Sequence, residues 1–415
     1  SKTITKDENW EQGQTNDKDH TTEEFKNKQG QVVLKRTYNN NQAHDTFYVY
    51  DDFGNLTYVL PPKMNPNTNS ISTIINELDG LGYQYKYDYR NRLVEKKIPG
   101  KDWEYIVYDK LDRPVLTQDA NLRIPYKWLF TKYDVLGRVA YTGICSQYGS
   151  RTSLQTIVNS STSQYVVLQN VTGSPDTNWW SGSGIGLFYT NTSYLTPVNN
   201  SELYTVNYYD DYVHLPSGLN STITTSYGVS STPNTKGLPT VSKVRVLETT
   251  SWITTVTYYD AKARPIYVYS KNDYLNTTDI IESKLDDFTG KVLETKTTHT
   301  KDSNNPIVTI DRFEYDHQDR LISQSQKIND QISERIVKNN YDDIGQLASK
   351  IVGNGTKSGY KDVTSGISIA DDVITKTGIN GWNAGLATIG TIQGDGYVEY
   401  KAVSEDKNLM IGLSD

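Results

Sequence analysis

Cysteine is nearly absent: Cys145 stands alone among 415 residues. No internal disulfide can staple the fold, and no Cys-x-x-Cys metal or redox pair exists. No apolar run approaches the roughly 18 residues that a membrane-spanning helix needs. Hydrophobic residues make up 35% of the chain and the mean hydropathy is -0.63, low for one large core. A basic excess is lacking too, since 42 Lys and Arg are scattered among 49 Asp and Glu for a net charge of -7. A nucleic-acid partner, which needs clustered cations, is therefore not expected. The histidines, His20, His44, His214, His299 and His317, share no ligand spacing, so neither a metal nor a cofactor is implied. The opening SKTITKDENW has no basic or apolar leader region. That fits a cytoplasmic protein, a mature chain or an internal piece of a longer one.

Tyrosine is abundant, with 32 Tyr against 7 Phe and 7 Trp. Its ring can be buried while its hydroxyl reaches water or a partner, which suits thin sheets wetted on two sides. Many of these tyrosines belong to a repeat. Tyr50-Asp51 opens YDDFGNL, and related units begin at Tyr87-Asp88, Tyr108-Asp109, Tyr133-Asp134, Tyr259-Asp260, Tyr315-Asp316 and Tyr341-Asp342. Looser copies start at Phe25 and Leu285, and Tyr209-Asp210 is degenerate.

Residues before each Tyr-Asp alternate and are β-branched or aromatic, as in WITTVTYY from Trp252, which predicts a strand. The Asp starts a turn by accepting backbone N–H bonds. Four places after the Tyr a positive φ is required to close the hairpin with a bulge. Gly54, Gly137 and Gly345 meet that need freely, and Asn91, Asp112 and Asp319 tolerate it, whereas Ala263 fits poorly. An arginine follows in Arg92, Arg113, Arg138, Arg264 and Arg320. It is expected to pair with the turn Asp as an exposed bridge worth under ~1 kcal/mol. Each unit reads as one β-hairpin, and lone hairpins are marginal, so successive ones must pair edge to edge.

Tandem Tyr-Asp-x-x-Gly-Arg-Leu units of this kind resemble the YD repeats of the RHS (rearrangement hot spot) and teneurin-like families, over roughly residues 20 to 352. Stretches such as TTEEFKNKQGQVVLKRTY and SKLDDFTGKVLETKTTHT are closest in style to RHS-repeat proteins of the Bacteroidota. The resemblance implies an all-β fold of consecutive antiparallel hairpins in a continuous spiralling sheet, part of a hollow shell around a polypeptide payload. It also implies a secreted or cell-surface protein, often exported through the type 9 outer-membrane translocon. The Asp-Pro-x-Gly pattern of autoproteolytic RHS toxins is missing, as no Asp-Pro pair occurs, so no cleavage residues are carried over.

Residues 1–352 are thus expected to form the repeat segment, interrupted at about 141–203 by a Ser/Thr/Asn-rich insertion. There Trp179 and Trp180, with Tyr189, are candidates for stacking on a surface glycan, although packing against the sheet explains them more simply. Residues 353–361 read as a linker, and 362–415 as the incomplete start of a jelly-roll-like β-sandwich. No catalytic constellation is visible, so the functional expectation is architectural: a shell segment whose partners are the rest of its own longer chain and a possible payload. An adhesin that binds carbohydrate is the alternative, and a glycoside-active enzyme a remote one.

Overall fold

Runs of alternating β-branched and aromatic residues become strands throughout the computed structural model. It describes residues 1–169, 185, 187–190 and 202–353, plus the backbone of 360–361, 367–370, 373–376 and 387–388. Two units are distinguished: Ser1–Glu282 with Thr298–Pro306, and Ser283–Thr297 with Ile307–Asp415.

In the first unit the strands follow one another in order, from Lys2–Lys6 and Thr21–Lys26 to Trp252–Tyr259 and Pro265–Asn272. Each pairs antiparallel with the strand before it. Within a hairpin the ladder shifts register immediately before the corner tyrosine, at Val49/Tyr50, Lys86/Tyr87, Val107/Tyr108 and Lys132/Tyr133. One extra residue there is a β-bulge, which bends the strand and increases its twist. Between early hairpins the backbone ladder is short. It consists of Tyr58↔Gln84 with Val59↔Tyr83, and of Glu95↔Tyr105 with Lys96↔Glu104. Side chains must therefore join neighbouring hairpins near their corners.

Among the described residues three α-helices interrupt the meander: α1 (Ile71–Leu81), α2 (Ala120–Arg123) and α3 (Arg151–Ser160). Ser70, Asp119 and Ser150 cap them by accepting the N–H of Thr73, Leu122 and Ser153, satisfying donors that the first turn leaves open. The region read as a Ser/Thr/Asn-rich insertion at about 141–203 thus begins within a strand, Val139–Ser146, and continues into α3. Leu154 and Val158 of α3 are fully buried, each worth about 1.5–3 kcal/mol. They join Trp128, Phe130, Tyr141, Tyr189, Tyr208 and Trp252 in a closed core. The sheet is therefore not thin everywhere, because the insertion supplies a second layer here.

A lysine shares the buried strand face of Trp128 and Phe130. Lys132 is 1% exposed, and burial pushes its ammonium down to about 7; burial likewise raises the Cys145 thiol to about 12. An unfolded lysine titrates near about 10.4. As pH falls from there towards 7, the unfolded chain takes a proton that the folded one refuses, so stability drops across that window and levels off below it. Lys132→Met should make this drop shallower. Urea midpoints for both proteins at pH 7 and pH 9.5 measure it, and parallel slopes would refute the assignment.

In the second unit, Ile307–Tyr315, Leu321–Ile328, Glu334–Tyr341 and Leu347–Val352 pair antiparallel in order, again with shifts at Glu314/Tyr315 and Asn340/Tyr341. Beyond them, Ile367–Ala370 pairs with Val373–Lys376, and Tyr360–Lys361 with Ala387–Thr388. The rest of the expected C-terminal sandwich lies outside the described residues. No described helix is long and apolar enough to cross a membrane.

Candidate functional site

The repeated corners share one arrangement of polar side chains. At each one the Asp Oδ1 accepts two backbone N–H groups, two and four residues on. For Asp51 these are Phe53 (3.0 Å) and Asn55 (2.8 Å), and for Asp88 they are Arg90 (2.9 Å) and Arg92 (3.1 Å). Asp109, Asp134, Asp260, Asp316 and Asp342 repeat the arrangement. The positive-φ place is taken by Gly54 (85°), Asn91 (58°), Asp112 (61°), Gly137 (81°), Asp319 (71°) and Gly345 (87°). Ala263 takes it as well, at 61°, despite its steric disadvantage. The bonds from Asp260 to Lys262 and Arg264 on either side fix that turn.

The arginine four places after the Asp returns to it. Nε donates to the Asp Oδ2 at 2.8 Å in Arg92 and Arg113, 2.6 Å in Arg138, and 2.7 Å in Arg264 and Arg320. These bridges are not the exposed pairs expected above: Asp109, Asp134 and Asp260 are buried. At four of the corners the next corner covers the pair. The Arg92 guanidinium lies over the ring of Tyr108 (4.7 Å), Arg113 over Tyr133 (4.3 Å), Arg138 over Tyr209 (4.2 Å) and Arg320 over Tyr341 (4.5 Å). Burial by itself would raise the Asp88 and Asp260 carboxyls. Hydrogen bonds from Arg92 and Arg264 overcome this and hold both below the usual carboxylate range.

The tyrosine completes the link. Its hydroxyl donates to the carbonyl that opens the return strand of the preceding corner. The pairs are Tyr50 to Val32 (3.0 Å), Tyr87 to Leu56 (2.9 Å), Tyr108 to Leu93 (2.8 Å) and Tyr133 to Pro114 (2.9 Å). Tyr315 reaches Val292 (3.0 Å) and Tyr341 reaches Leu321 (3.0 Å) in the same way, and Tyr259 reaches Pro239 (2.7 Å). Burial raises the Tyr108 and Tyr133 phenols, so they stay protonated as donors. Even the degenerate copy keeps the link. Tyr209 donates to Val139 (3.0 Å), while Asp210 accepts both terminal nitrogens of Arg138 (2.8 and 2.6 Å). Sequence reasoning assigned the tyrosines to strands and missed this latch. The sequence carries no independent signal for it, because the clear copies are recognised by their Tyr and a looser copy begins with Phe25.

A neutral hydrogen bond contributes about 0.5–1.5 kcal/mol net. Tyr108→Phe, which keeps the ring and loses the donor, is accordingly expected to cost about 1 kcal/mol in urea unfolding. Tyr126→Phe, at an exposed tyrosine with no hydroxyl partner among the described residues, should cost nothing measurable. Equal midpoints for the two variants would remove the latch from the energetics.

Comparison with known proteins adds little to the geometry. No family model and no curated protein matches the chain. Among solved structures it is similar to the TcdB2-TccC3 complex with Cdc42, with 11% identity and a TM-score of 0.35 over 81% of this chain and 16% of that one. It is also similar to TcdB2-TccC3 without its hypervariable C-terminal region, with 11% identity and a TM-score of 0.34 over 82% of this chain. The chain spans 16% of the length of each.

Among the described residues no group of three or more His, Cys, Asp or Glu could hold a metal ion. Trp179 and Trp180 lie outside the described residues. Their companion Tyr189 is 2% exposed, stacks on Tyr208 at 5.5 Å and donates to the Asn207 carbonyl (2.7 Å). That ring serves packing.

Proposed function

We propose that this chain is an architectural segment of a larger RHS/YD-type repeat protein, whose sheet encloses or displays another polypeptide. The observation that supports it is the use made of each corner. The Asp carboxylate, the Arg guanidinium and the Tyr hydroxyl are spent on their own turn and on the neighbouring one, which leaves them no catalytic duty. In this reading the segment has no enzymatic activity of its own, and any toxic or adhesive action resides elsewhere in the longer protein. Export to the cell surface of a Bacteroidota-type bacterium, through the type 9 translocon, follows from the resemblance of its repeats.

Limited proteolysis of the full-length gene product tests the reading. A polypeptide that follows the repeats should resist protease while the repeats are folded and be digested quickly when expressed alone. Equal digestion in both settings would sink the enclosing role.

A further inference from the structure

The corner at Asp51 carries Asn55 where five other corners carry an arginine, and a groove lies beside it. Between the turns at Asp51–Asn55 and Asp88–Arg92 lies an open cleft of about 480 Å³, lined by Asp51, Phe53, Tyr58, Tyr85, Tyr87 and Tyr89. At Tyr108, Tyr133, Tyr209 and Tyr341 the corresponding space is filled by the arginine of the preceding corner. Here that place belongs to Asn55. Its short amide donates to Asp51 Oδ2 (3.0 Å) and Asn91 Oδ1 (3.1 Å) and reaches no further. Among the described residues no cation lies over Tyr87.

We propose that this groove binds an arginine side chain presented by an extended segment of a partner polypeptide. The guanidinium would seat on the Tyr87 ring beside Asp51, repeating the contacts that the chain's own arginines make at the other corners. Apolar residues flanking it would lie between Phe53 and Tyr89, which are 80% and 88% exposed. Charge favours such a partner. The nearby cations are already committed, Lys86 to Glu95 (2.9 Å), Arg90 to Asp112 (2.9 Å) and Arg92 to Asp88 (2.6 Å). Asp52, exposed beside Phe53, has no ion pair among the described residues.

The test is fluorescence anisotropy with the whole chain and a fluorescein-labelled peptide, Gly-Pro-Leu-Arg-Pro-Leu-Gly. Saturable binding is expected, weaker by about tenfold when the arginine is replaced by lysine, which lacks the planar stacking face. Asn55→Arg should supply the guanidinium internally, weaken peptide binding by about tenfold or more, and leave the melting temperature undiminished. Phe53→Ala changes only an exposed lip and should weaken binding several-fold, so it reports even if Asn55→Arg fails to fold. No saturable binding, equal affinity for the lysine peptide, or full affinity in Phe53→Ala or folded Asn55→Arg would each overturn the proposal. None of these outcomes bears on the enclosing role, because the groove is defined by one corner's side chains alone.

Discussion

Gly143→Ala is expected to destabilise the first unit by about 3 kcal/mol or more, the largest effect of an added methyl at any described glycine. Gly143 lies in Val139–Ser146, opposite Leu203, where the ladder shifts register between Thr142 and Gly143. A Cβ there would sit 2.1 Å from the Glu202 carbonyl oxygen, and 2.6 and 2.8 Å from two carbons of the Phe130 ring. A flexible side chain could yield to such a contact. A paired backbone carbonyl cannot, and Phe130 is itself 2% exposed within the core. Relief would have to come from separating the strands on either side of the insertion, which would open the layer that buries Tyr141 and Tyr208. Urea unfolding followed by tryptophan fluorescence measures the loss, since Trp128 and Trp252 are both buried in that core. A midpoint within experimental error of the parent would contradict the close approach.

Arg138→Ala should come second, at about 3 kcal/mol. Arg138 holds three partners at once: Asp134 through Nε (2.6 Å), Asp210 through both terminal nitrogens, and the Tyr209 ring. Asp134 is 6% exposed, and a buried carboxylate stripped of its cation costs several kcal/mol, which is where most of the loss arises. Arg138→Lys should recover less than half, because an ammonium cannot form the two parallel bonds to Asp210 while stacking. Lys96→Ala, which breaks the more exposed bridge to Glu104 (2.8 Å), is the calibration and should change stability by less than about 1 kcal/mol. If Arg138→Ala behaves like Lys96→Ala, the corner bridges are surface decoration after all.

What could be read from the residues divides along a physical line. Turn chemistry is local. Asp51 and Gly54 declare themselves because an Asx-type turn and a positive φ depend on a handful of consecutive atoms. Ala263 shows the limit of local rules, since its neighbours hold the turn although the residue itself disfavours it. The latch from Tyr108 to Leu93 and the stack of Arg92 on Tyr108 join different repeats. No inspection of one hairpin shows them. Helix α3 was hidden for another reason. RTSLQTIVNS is poor in apolar residues, and it is helical because Leu154 and Val158 find a core to enter, a tertiary gain that propensity does not register. The groove at Tyr87 was likewise invisible, because an Asn in place of an Arg reads as drift until the ring it fails to cover is in view.

The tyrosine latches also give the protein a direction in time. Every one of them points backwards along the chain, from a corner to one already made, across separations as short as 15 residues between Tyr108 and Leu93 and 20 between Tyr341 and Leu321. The tyrosine of a hairpin emerging from a ribosome therefore meets its docking carbonyl already in place. Closing the short loops is fast compared with contacts that must wait for distant chain; the Tyr209 latch to Val139, 70 residues back across the insertion, is the slow one. Assembly can then keep pace with delivery, each corner locking the last and offering its own arginine and carbonyl to the next.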